Sequence, residues 1–300
     1  MIDDPSFLKK YDIKPFGYKK DNNAVIIKTK NERYVLKKRN KDQTDLFLYL
    51  KSRNFNHFPI YYNENEDDNY DLYEYIENYC LSDEERALEL VNLTSVLHHK
   101  TTHYINVSLD DYKIIYEEID EKLENLTIYY EEINNLIDKE IYMSPSNYLL
   151  ARNMTKIHAL LKFCKEELDN WYELIKNDTK KRVVLTHGNL DLSHLLRNEN
   201  SYLISWDKSK IDMPIYDFYY FYKNNYKDLE FAYLLNAYES KYPFTDSERK
   251  LLFILISLPS KVAFNLSEYE NTKLINELLY YIYKTDSIVS PYYSKEETKE

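Results

Sequence analysis

The twelve residues most informative about the fold are Leu185-Thr186-His187-Gly188-Asn189-Leu190-Asp191-Leu192-Ser193-His194-Leu195-Leu196. Residues 182–186, which lead into it, are apolar and β-branched, and residues 202–206 beyond it have a similar character. Two such runs with a polar segment between them predict short strands joined by a loop. The loop contains Gly188, and the only other glycine of the chain is Gly17.

This scarcity of glycine excludes several kinds of site. The chain has 2 glycines in 300 residues, whereas ordinary usage of roughly 7% would give about 21. A glycine-rich phosphate loop needs at least two glycines close together, and here they lie far apart. Turns must therefore be made by Asn and Asp, which tolerate positive φ best after glycine.

Charge and composition narrow the class of protein further. The net charge is −11, and 44% of the residues are hydrophobic and 16% aromatic. An acidic globular chain of this kind is not expected to bind nucleic acid. Cys80 and Cys164 show no disulfide or metal pattern, which favours a reducing compartment. The start shows no signal-peptide pattern, and residues 251–258 form an apolar run too short for a membrane span. We expect a cytoplasmic protein without a membrane span.

The N-terminal third is predicted to be rich in strands. A β-branched run and a following apolar run predict a hairpin, and a short helix and two further strands follow. The predicted strands are residues 24–29, 34–37, 58–62 and 70–76, and the predicted helix is residues 46–50. These elements form a predicted β-rich domain over residues 1–76.

Helices dominate the rest of the chain. Ser82 and Glu85 form a capping-box pattern at the start of an amphipathic segment. Long helical patterns follow over residues 112–140 and 146–177, and helices return after residue 214. We therefore predict a helical domain over residues 77–286 and a polar tail over residues 287–300. A small β-rich lobe followed by a large helical lobe is the element order of two-lobed kinases.

Three motifs carry a resemblance to a known group of proteins. The opening stretch resembles the HGDxxxxN catalytic loop of the aminoglycoside phosphotransferase and choline kinase group. Ile204-Ser205-Trp206-Asp207 is similar to the strand that delivers the metal-binding Asp of that group, and Pro214-Ile215-Tyr216-Asp217 resembles its PxxD element. The resemblance implies an α+β, two-lobed protein-kinase-like fold with a small antiparallel N-lobe and a large helical C-lobe.

Finer details are similar to the CotS-type spore coat proteins, which are kinase-fold proteins associated with the bacterial endospore coat. These details are the HGxLxxSH form of the loop, the run at residues 211–218, and Met143-Ser144-Pro145-Ser146-Asn147-Tyr148. The resemblance covers roughly residues 26–238. It implies association with the spore coat after synthesis in the cytoplasm, and other coat proteins or a small-molecule ligand as partners.

The resemblance also assigns roles to single residues. Phosphoryl transfer in this group needs an aspartate base, oxygen ligands for Mg²⁺ and a lysine on the phosphates. Asn189 stands at the position of the base, and an amide cannot take up the proton. His194 stands at the second metal-ligand position, although Mg²⁺ prefers oxygen. Asp207 is retained as the metal-binding carboxylate, and Lys37 stands at the position of the phosphate-pairing lysine.

The remaining positions of the implied nucleotide site are altered or ambiguous. The helix partner of the lysine is a Glu in the group, and here only Asp42 or Asp45 is available. Residues 19–23 replace the glycine-rich cover over the phosphates. Glu74 and Tyr75 begin the connector between the lobes and are candidate cofactor-binding residues. Asp191 is either a replacement base or the cap of a turn.

Structural roles remain open beside these functional ones. Lys37 precedes two further basic residues and is also compatible with a solvated strand end, and Asp207 with a turn after a strand. The tyrosines at residues 216–222 suit either oxidative cross-linking in a coat or the packing of a helix. His187 is expected to pack and to hydrogen-bond to the backbone.

The sequence thus leads to two hypotheses. The first is a spore coat-associated pseudokinase that is not an efficient phosphotransferase and acts by binding and assembly during sporulation. The second is an active small-molecule phosphotransferase that uses ATP and Mg²⁺. The substitutions at Asn189 and His194 favour the first, and the retained Lys37 and Asp207 keep the second open.

Overall fold

The fold was analysed in a computed structural model that describes residues 6–21, 24–62, 69–264 and 266–296. The helices are α1 (Ser6–Lys10), α2 (Thr44–Ser52), α3 (Asp83–Thr101), α4 (Leu109–Ile137), α5 (Pro145–Ile175), α6 (Ile215–Asn225), α7 (Phe231–Glu239), α8 (Asp246–Ser257) and α9 (Glu268–Glu296). The strands are β1 (Gly17–Asp21), β2 (Ala24–Lys28), β3 (Arg33–Lys38), β4 (Tyr70–Glu74), β5 (His103–Asn106), β6 (Lys180–Thr186), β7 (Leu195–Arg197), β8 (Ser201–Leu203) and β9 (Lys210–Asp212). The strands form sheets of order β1-β2-β3-β4, β5-β6-β9 and β7-β8.

The chain divides into two compact units, and neither is one continuous segment. Unit 1 contains Met1–Thr101 together with His187–Lys210, and unit 2 contains Thr102–Thr186 and Ile211–Glu300. The sequence predicts a division after residue 76, but α3 lies in unit 1. The side chain of Ser201 donates a hydrogen bond to Glu89 of α3, and α3 contacts the 3-10 turn Leu192–His194. These contacts connect α3 with the second segment of unit 1.

The sheet of unit 1 is antiparallel throughout. The hairpin of β2 and β3 pairs Lys28 with Arg33, and β3 pairs with β4 through Lys37 and Asp71 after a connection that contains α2. Alternate residues point to one face, where Ile27, Leu36 and Leu72 are almost completely buried in the core of the unit. The β-branched run at residues 24–29 and the apolar run at residues 34–37 therefore predict β2 and β3 correctly.

Three local predictions differ from the structure. The predicted strand at residues 58–62 is only an isolated bridge between Tyr61 and Tyr73, because Pro59 has no N–H to donate to a ladder. Residues 19–23 were expected to replace the glycine-rich cover; residues 19–21 belong to β1 (Gly17–Asp21), a strand that was not predicted, and residues 22–23 lie outside the described part of the chain. The predicted strand at residues 202–206 ends early, because Ser205 is in the left-handed region with φ 68°.

Unit 2 is built mainly from helices, as predicted. Ser144 caps α5 by accepting a hydrogen bond from the amide of Asn147, with Pro145 in the first turn. Buried ion pairs connect Arg182 with Glu248 and Lys250 with Glu167. These contacts join β6 and α5 to α8, around which the apolar faces of the unit pack.

The region predicted as a polar tail is helical as far as Glu296. Ile288 and Val289 in the last part of α9 are buried. The hydroxyl of Tyr292 donates to Glu239 over 3.0 Å. The segment has few buried apolar positions among its polar residues, so its sequence shows no clear helical periodicity. No described helix has the length and apolarity needed to cross a membrane.

The predicted α+β architecture is confirmed. An antiparallel sheet forms the N-terminal region, and the C-terminal part of the chain is helical. The loop at residues 187–194 lies in unit 1 with β3, α2 and β4, so the candidate catalytic, cofactor-binding and metal-binding residues belong to one compact unit, whereas residues 143–148 and 214–217 belong to unit 2.

Candidate functional site

Gly188 fixes the backbone of the loop. Its φ is 74°, and a Cβ built on it would lie 2.2 Å from the carbonyl oxygen of Lys208. A residue with a side chain would meet both an unfavourable left-handed conformation and a clash with backbone. Glycine is therefore required for the loop to pass directly against the 3-10 turn Trp206–Lys208.

His187 has a structural role in this loop, as predicted. Its side chain is completely buried, and Nε2 donates to the carbonyl oxygen of Ile204 over 2.9 Å. Its ring centroid lies 4.9 Å from that of Trp206. These contacts connect the start of the loop with the segment that carries Asp207.

Asn189 and His194, which were predicted to stand at altered catalytic positions, contact each other. His194 Nδ1 donates to the backbone carbonyl of Asn189 over 2.7 Å. The side-chain oxygen of Asn189 accepts from the ammonium of Lys208 at 3.5 Å. Because Nδ1 carries the donated proton, only Nε2 of His194 remains as a potential ligand.

Asp191 caps the 3-10 turn Leu192–His194. Its Oδ1 accepts from both the amide and the hydroxyl of Ser193, at 2.9 and 2.6 Å. Burial would raise the pKa of Asp191, but these hydrogen bonds and the nearby His194 outweigh it and hold the pKa below its ordinary value. A carboxylate with a lowered pKa is a weak proton acceptor, so the contacts favour the capping role.

Lys37 contacts the short segment at residues 205–207, which contains Asp207. The ammonium of Lys37 donates to the hydroxyl of Ser205 over 3.1 Å. The side-chain amide of Gln43 donates to Asp207 over 3.2 Å and accepts from the hydroxyl of Tyr73 over the same distance. Gln43 is therefore the residue of the α2 region that contacts Asp207.

The acidic partners expected for Lys37 are engaged elsewhere or lie apart from it. Asp42 accepts from the amide and hydroxyl of Thr44 at the start of α2. Asp45 lies in the first turn of α2. Among the described residues, neither forms an ion pair with Lys37. Gln43 was missed by sequence reasoning, because a neutral amide carries no signal of catalytic chemistry.

A buried charged network supports β3 and β4 beside these residues. Arg39 donates to Asp71 over 2.8 Å, and both side chains are more than nine-tenths buried. The hydroxyl of Tyr61 also donates to Asp71, over 2.9 Å. Burial raises the pKa of Asp71 despite these partners. The sequence offered no sign of this network, since its members are spread over three segments.

The two connector residues have intramolecular contacts. Glu74 accepts weakly from the amide of Ile60 at 3.4 Å. The amide of Tyr75 donates to the carbonyl of Arg33 over 3.3 Å, and the Arg33 guanidinium lies 5.4 Å from the centre of the Tyr75 ring. The structure thus places Glu74 and Tyr75 at the end of β4, within unit 1.

The described side chains of the candidate site suit the binding of at most one metal ion that prefers oxygen ligands, such as Mg²⁺. In the described part of the chain, no group of three or more His, Cys, Asp or Glu side chains is arranged to hold a metal. Mg²⁺ is often held by one or two carboxylates together with nucleotide phosphates, and Asp207 fits that role. The imidazole of His194 does not suit Mg²⁺, so the second ligand position of the group is not reproduced.

Several solved structures of known proteins are similar to this chain, although the two sequence comparisons found no match. No family model matches the chain, and no curated protein sequence matches it. An aminoglycoside phosphotransferase from Alicyclobacillus acidocaldarius has a similar structure, with a TM-score of 0.69, 11% identity and coverage of 97% of this chain and 95% of the other. A spectinomycin phosphotransferase solved with AMP (TM-score 0.53, 14% identity, coverage of 93% and 96%) and a glucosamine kinase (0.52, 12%, coverage of 95% and 79%) are also similar.

At these identities the likeness establishes the fold and nothing finer. The chain has the two-lobed, kinase-like fold that is found in aminoglycoside phosphotransferases. The fold predicted from the motif at residues 185–196 is confirmed.

Proposed function

We propose that this protein is a kinase-fold pseudokinase of the CotS type, which acts by binding and assembly in the spore coat rather than by efficient phosphoryl transfer. It is made in the cytoplasm and becomes associated with the coat, where its partners are other coat proteins or a small-molecule ligand. The proposal combines the motif resemblance of residues 143–148, 187–194 and 211–218 with the contacts of the candidate site.

The observation that carries the proposal is the state of the loop at Asn189. An amide occupies the position of the proton acceptor, and it accepts from Lys208. The carboxylate two residues later, Asp191, is held by Ser193 as a cap. General-base catalysis is worth about 10²–10⁴-fold in rate, and no other carboxylate of this loop is available to supply it.

Two further contacts support the same conclusion. His194 donates to the loop backbone, which is a structural use of a residue at a ligand position. Gln43 binds Asp207 from the α2 side, where the group has an acidic partner for Lys37. The site residues thus stabilise the loop and its neighbours with one another.

The enzymatic part is tested by measuring ATP turnover in the wild type, Asp207→Ala and Asn189→Asp. We expect the wild type to show no more turnover than Asp207→Ala. Asn189→Asp restores a proton acceptor and, if nucleotide binds, is expected to turn over ATP faster than the wild type and Asp207→Ala. Wild-type turnover that Asp207→Ala abolishes contradicts the proposed loss of phosphoryl transfer.

The coat assignment requires a separate experiment. The protein, followed by an antibody during growth and sporulation, is expected to appear during sporulation and to remain with purified, washed spores. Production only in vegetative cells, or absence from the spores, contradicts the assignment even if the enzymatic part holds.

An active ATP- and Mg²⁺-dependent small-molecule phosphotransferase is the second candidate. It is favoured by the contact between Lys37 and Ser205, two residues before Asp207. This contact brings Lys37, the candidate phosphate-binding residue, to the segment that contains Asp207, the candidate metal ligand. The similar spectinomycin phosphotransferase was solved with AMP. Mg-ATP at 100 times its Kd should stabilise a binding protein by about 2.7 kcal/mol, and Lys37→Met should remove that stabilisation.

A further inference from the structure

A cavity of about 710 Å³ lies within the helical unit 2. Its walls come from α4, from α6 and from the segment that follows α8. Three lysines line it, one from each of these elements: Lys122, Lys223 and Lys261. We call this the lysine cavity. It is formed entirely by residues of unit 2.

The three lysines lack the partners that other lysines of the unit have. Lys165 lies 2.7 Å from Asp120, and Lys284 lies 2.9 Å from Glu230. Across residues 6–21, 24–62, 69–264 and 266–296, by contrast, Lys122, Lys223 and Lys261 form no hydrogen bond or ion pair through their ammonium groups. Lys122 and Lys261 are exposed to solvent at the mouth of the lining, and Lys223 is half-buried.

Lys223 is the central member of the group. Its ammonium lies 4.3 Å from the centre of the Tyr281 ring and 5.9 Å from that of Tyr219. Burial, together with the charge of Lys122, lowers the pKa of Lys223 to about 8. Aromatic faces attract a cation, but they do not replace the hydrogen-bond acceptors that the ammonium group loses on burial.

The same lysines extend the cavity toward an aromatic wall. A smaller cavity of about 240 Å³ shares Lys223, Ser260 and Lys261 with the first and is also lined by Tyr226 and Tyr281. Lys261 lies over the ring of Tyr129, 5.0 Å from its centre. The lining therefore combines three cations with a hydroxyl group and aromatic rings.

Acidic residues share the lining with the lysines, and the three lysines outnumber the two glutamates of the larger part. Glu118 and Glu121 of α4 belong to the lining of the larger part, and Glu277 of α9 to that of the smaller. Glu277 is already paired with Lys227 over 3.1 Å. The cavity thus has cations available for a ligand.

We propose that the lysine cavity binds a small organic oxyanion with at least two negative charges, of the phosphate monoester class. A dianion supplies acceptors for several ammonium groups at once, and hydrogen bonds between charged partners are the strong ones. The aromatic wall and Ser260 would face the organic part. This site is independent of the proposed loss of phosphoryl transfer, because it shares no residue with the candidate site of unit 1.

The test is calorimetric titration of the purified full chain with glycerol 3-phosphate and with inorganic phosphate, at constant ionic strength set with sodium chloride. Binding of glycerol 3-phosphate is expected to weaken about tenfold in Lys223→Met and in Lys261→Met, since each change removes one charge-assisted hydrogen bond. The matched control is Lys113→Met on α4, whose exposed lysine pairs with Glu117, and it should bind like the wild type.

Three results would overturn the proposal. They are absence of measurable binding of both probes, a loss of less than threefold in both lysine variants, and loss of binding in Lys37→Met but not in Lys223→Met. The last result would assign the phosphate to unit 1 instead.

Circular dichroism of each variant checks folding, and Lys261→Met keeps the test valid if Lys223→Met fails to fold. Tighter binding of glycerol 3-phosphate than of inorganic phosphate is expected from the aromatic wall, and the reverse order would overturn the monoester class.

Discussion

The candidate site of unit 1 and the lysine cavity of unit 2 use their charged groups in opposite ways. In unit 1 the ammonium of Lys37 is bound by Ser205, and Asp207 is bound by Gln43. In the lysine cavity, Lys223 is surrounded by aromatic rings and has no acceptor within the described chain.

This difference indicates at which of the two sites the binding of a ligand gains more free energy. A group that already has hydrogen-bond partners loses them when a ligand arrives, so the net gain is small. A buried cation without a partner lowers the stability of the folded protein, and a ligand that neutralises it removes that cost. The region whose motif resembles a catalytic loop is thus the one whose charged groups already have hydrogen-bond partners.

The largest effect is expected from breaking the buried pair in unit 1. Arg39→Met leaves the buried carboxylate of Asp71 without its cation, and removal of one partner of a buried pair costs about 3–5 kcal/mol. Urea unfolding measures the loss. Lys14→Met breaks the exposed pair with Asp12 and should change stability by less than about 0.5 kcal/mol.

The pH dependence of this variant has a defined sign. Burial already raises the pKa of Asp71 above 3.8, and the loss of Arg39 raises it further. The native variant then holds a proton that the unfolded chain has released, so its stability falls as the pH rises. The deficit should be smaller at about pH 5 than at about pH 8. A deficit that is larger at the lower pH would contradict this account.

The next effect concerns the backbone of the loop. Gly188→Ala introduces a Cβ against the carbonyl of Lys208 at a positive φ, and the strain is expected to cost about 3 kcal/mol. Gly17→Ala is the matched control, because nothing lies within 4 Å of its Cβ position. Equal unfolding midpoints for the two variants would show that the loop does not need glycine.

A smaller effect of opposite sign is expected in the lysine cavity. The lowered pKa of Lys223, about 8, means that the unfolded chain binds a proton more readily, so wild-type stability rises with pH above about 8. Lys223→Met removes the buried charge and should stabilise the protein near pH 7 by about 1 kcal/mol, after allowance for partial exposure. This advantage should shrink by about pH 9.5, and a constant advantage would contradict the desolvation of Lys223.

The smallest effect separates the two roles of Asp191. Asp191→Asn keeps a side-chain oxygen for Ser193 and should leave stability nearly unchanged, whereas Asp191→Ala loses the cap and about 1 kcal/mol. Thermal unfolding measures both variants. If ATP turnover is detected in the wild type, its loss in Asp191→Asn would favour the role of base over that of cap.

Much of unit 1 followed from local patterns. The β-branched and apolar runs of β2 and β3 and the capping box of Ser82 with Glu85 were predicted, and the hydrogen bonds of that box are present. The strand predicted at residues 58–62 is reduced to an isolated bridge, because Pro59 within the run has no N–H to donate to a ladder. The helical continuation to Glu296 was missed because it is stabilised by packing rather than by its own periodicity.

Most of the order of elements and the loop around Gly188 could be predicted from the sequence, because periodicity and backbone chemistry are encoded in neighbouring residues, and the resemblance of its motifs predicted the kinase-like fold. Which charged groups have partners depends on the tertiary structure. Gln43 reaches Asp207, and the three lysines of the cavity come together, although each set is spread over more than a hundred residues of sequence. Burial and Coulomb energy depend on distance in space, and a single sequence does not give that distance.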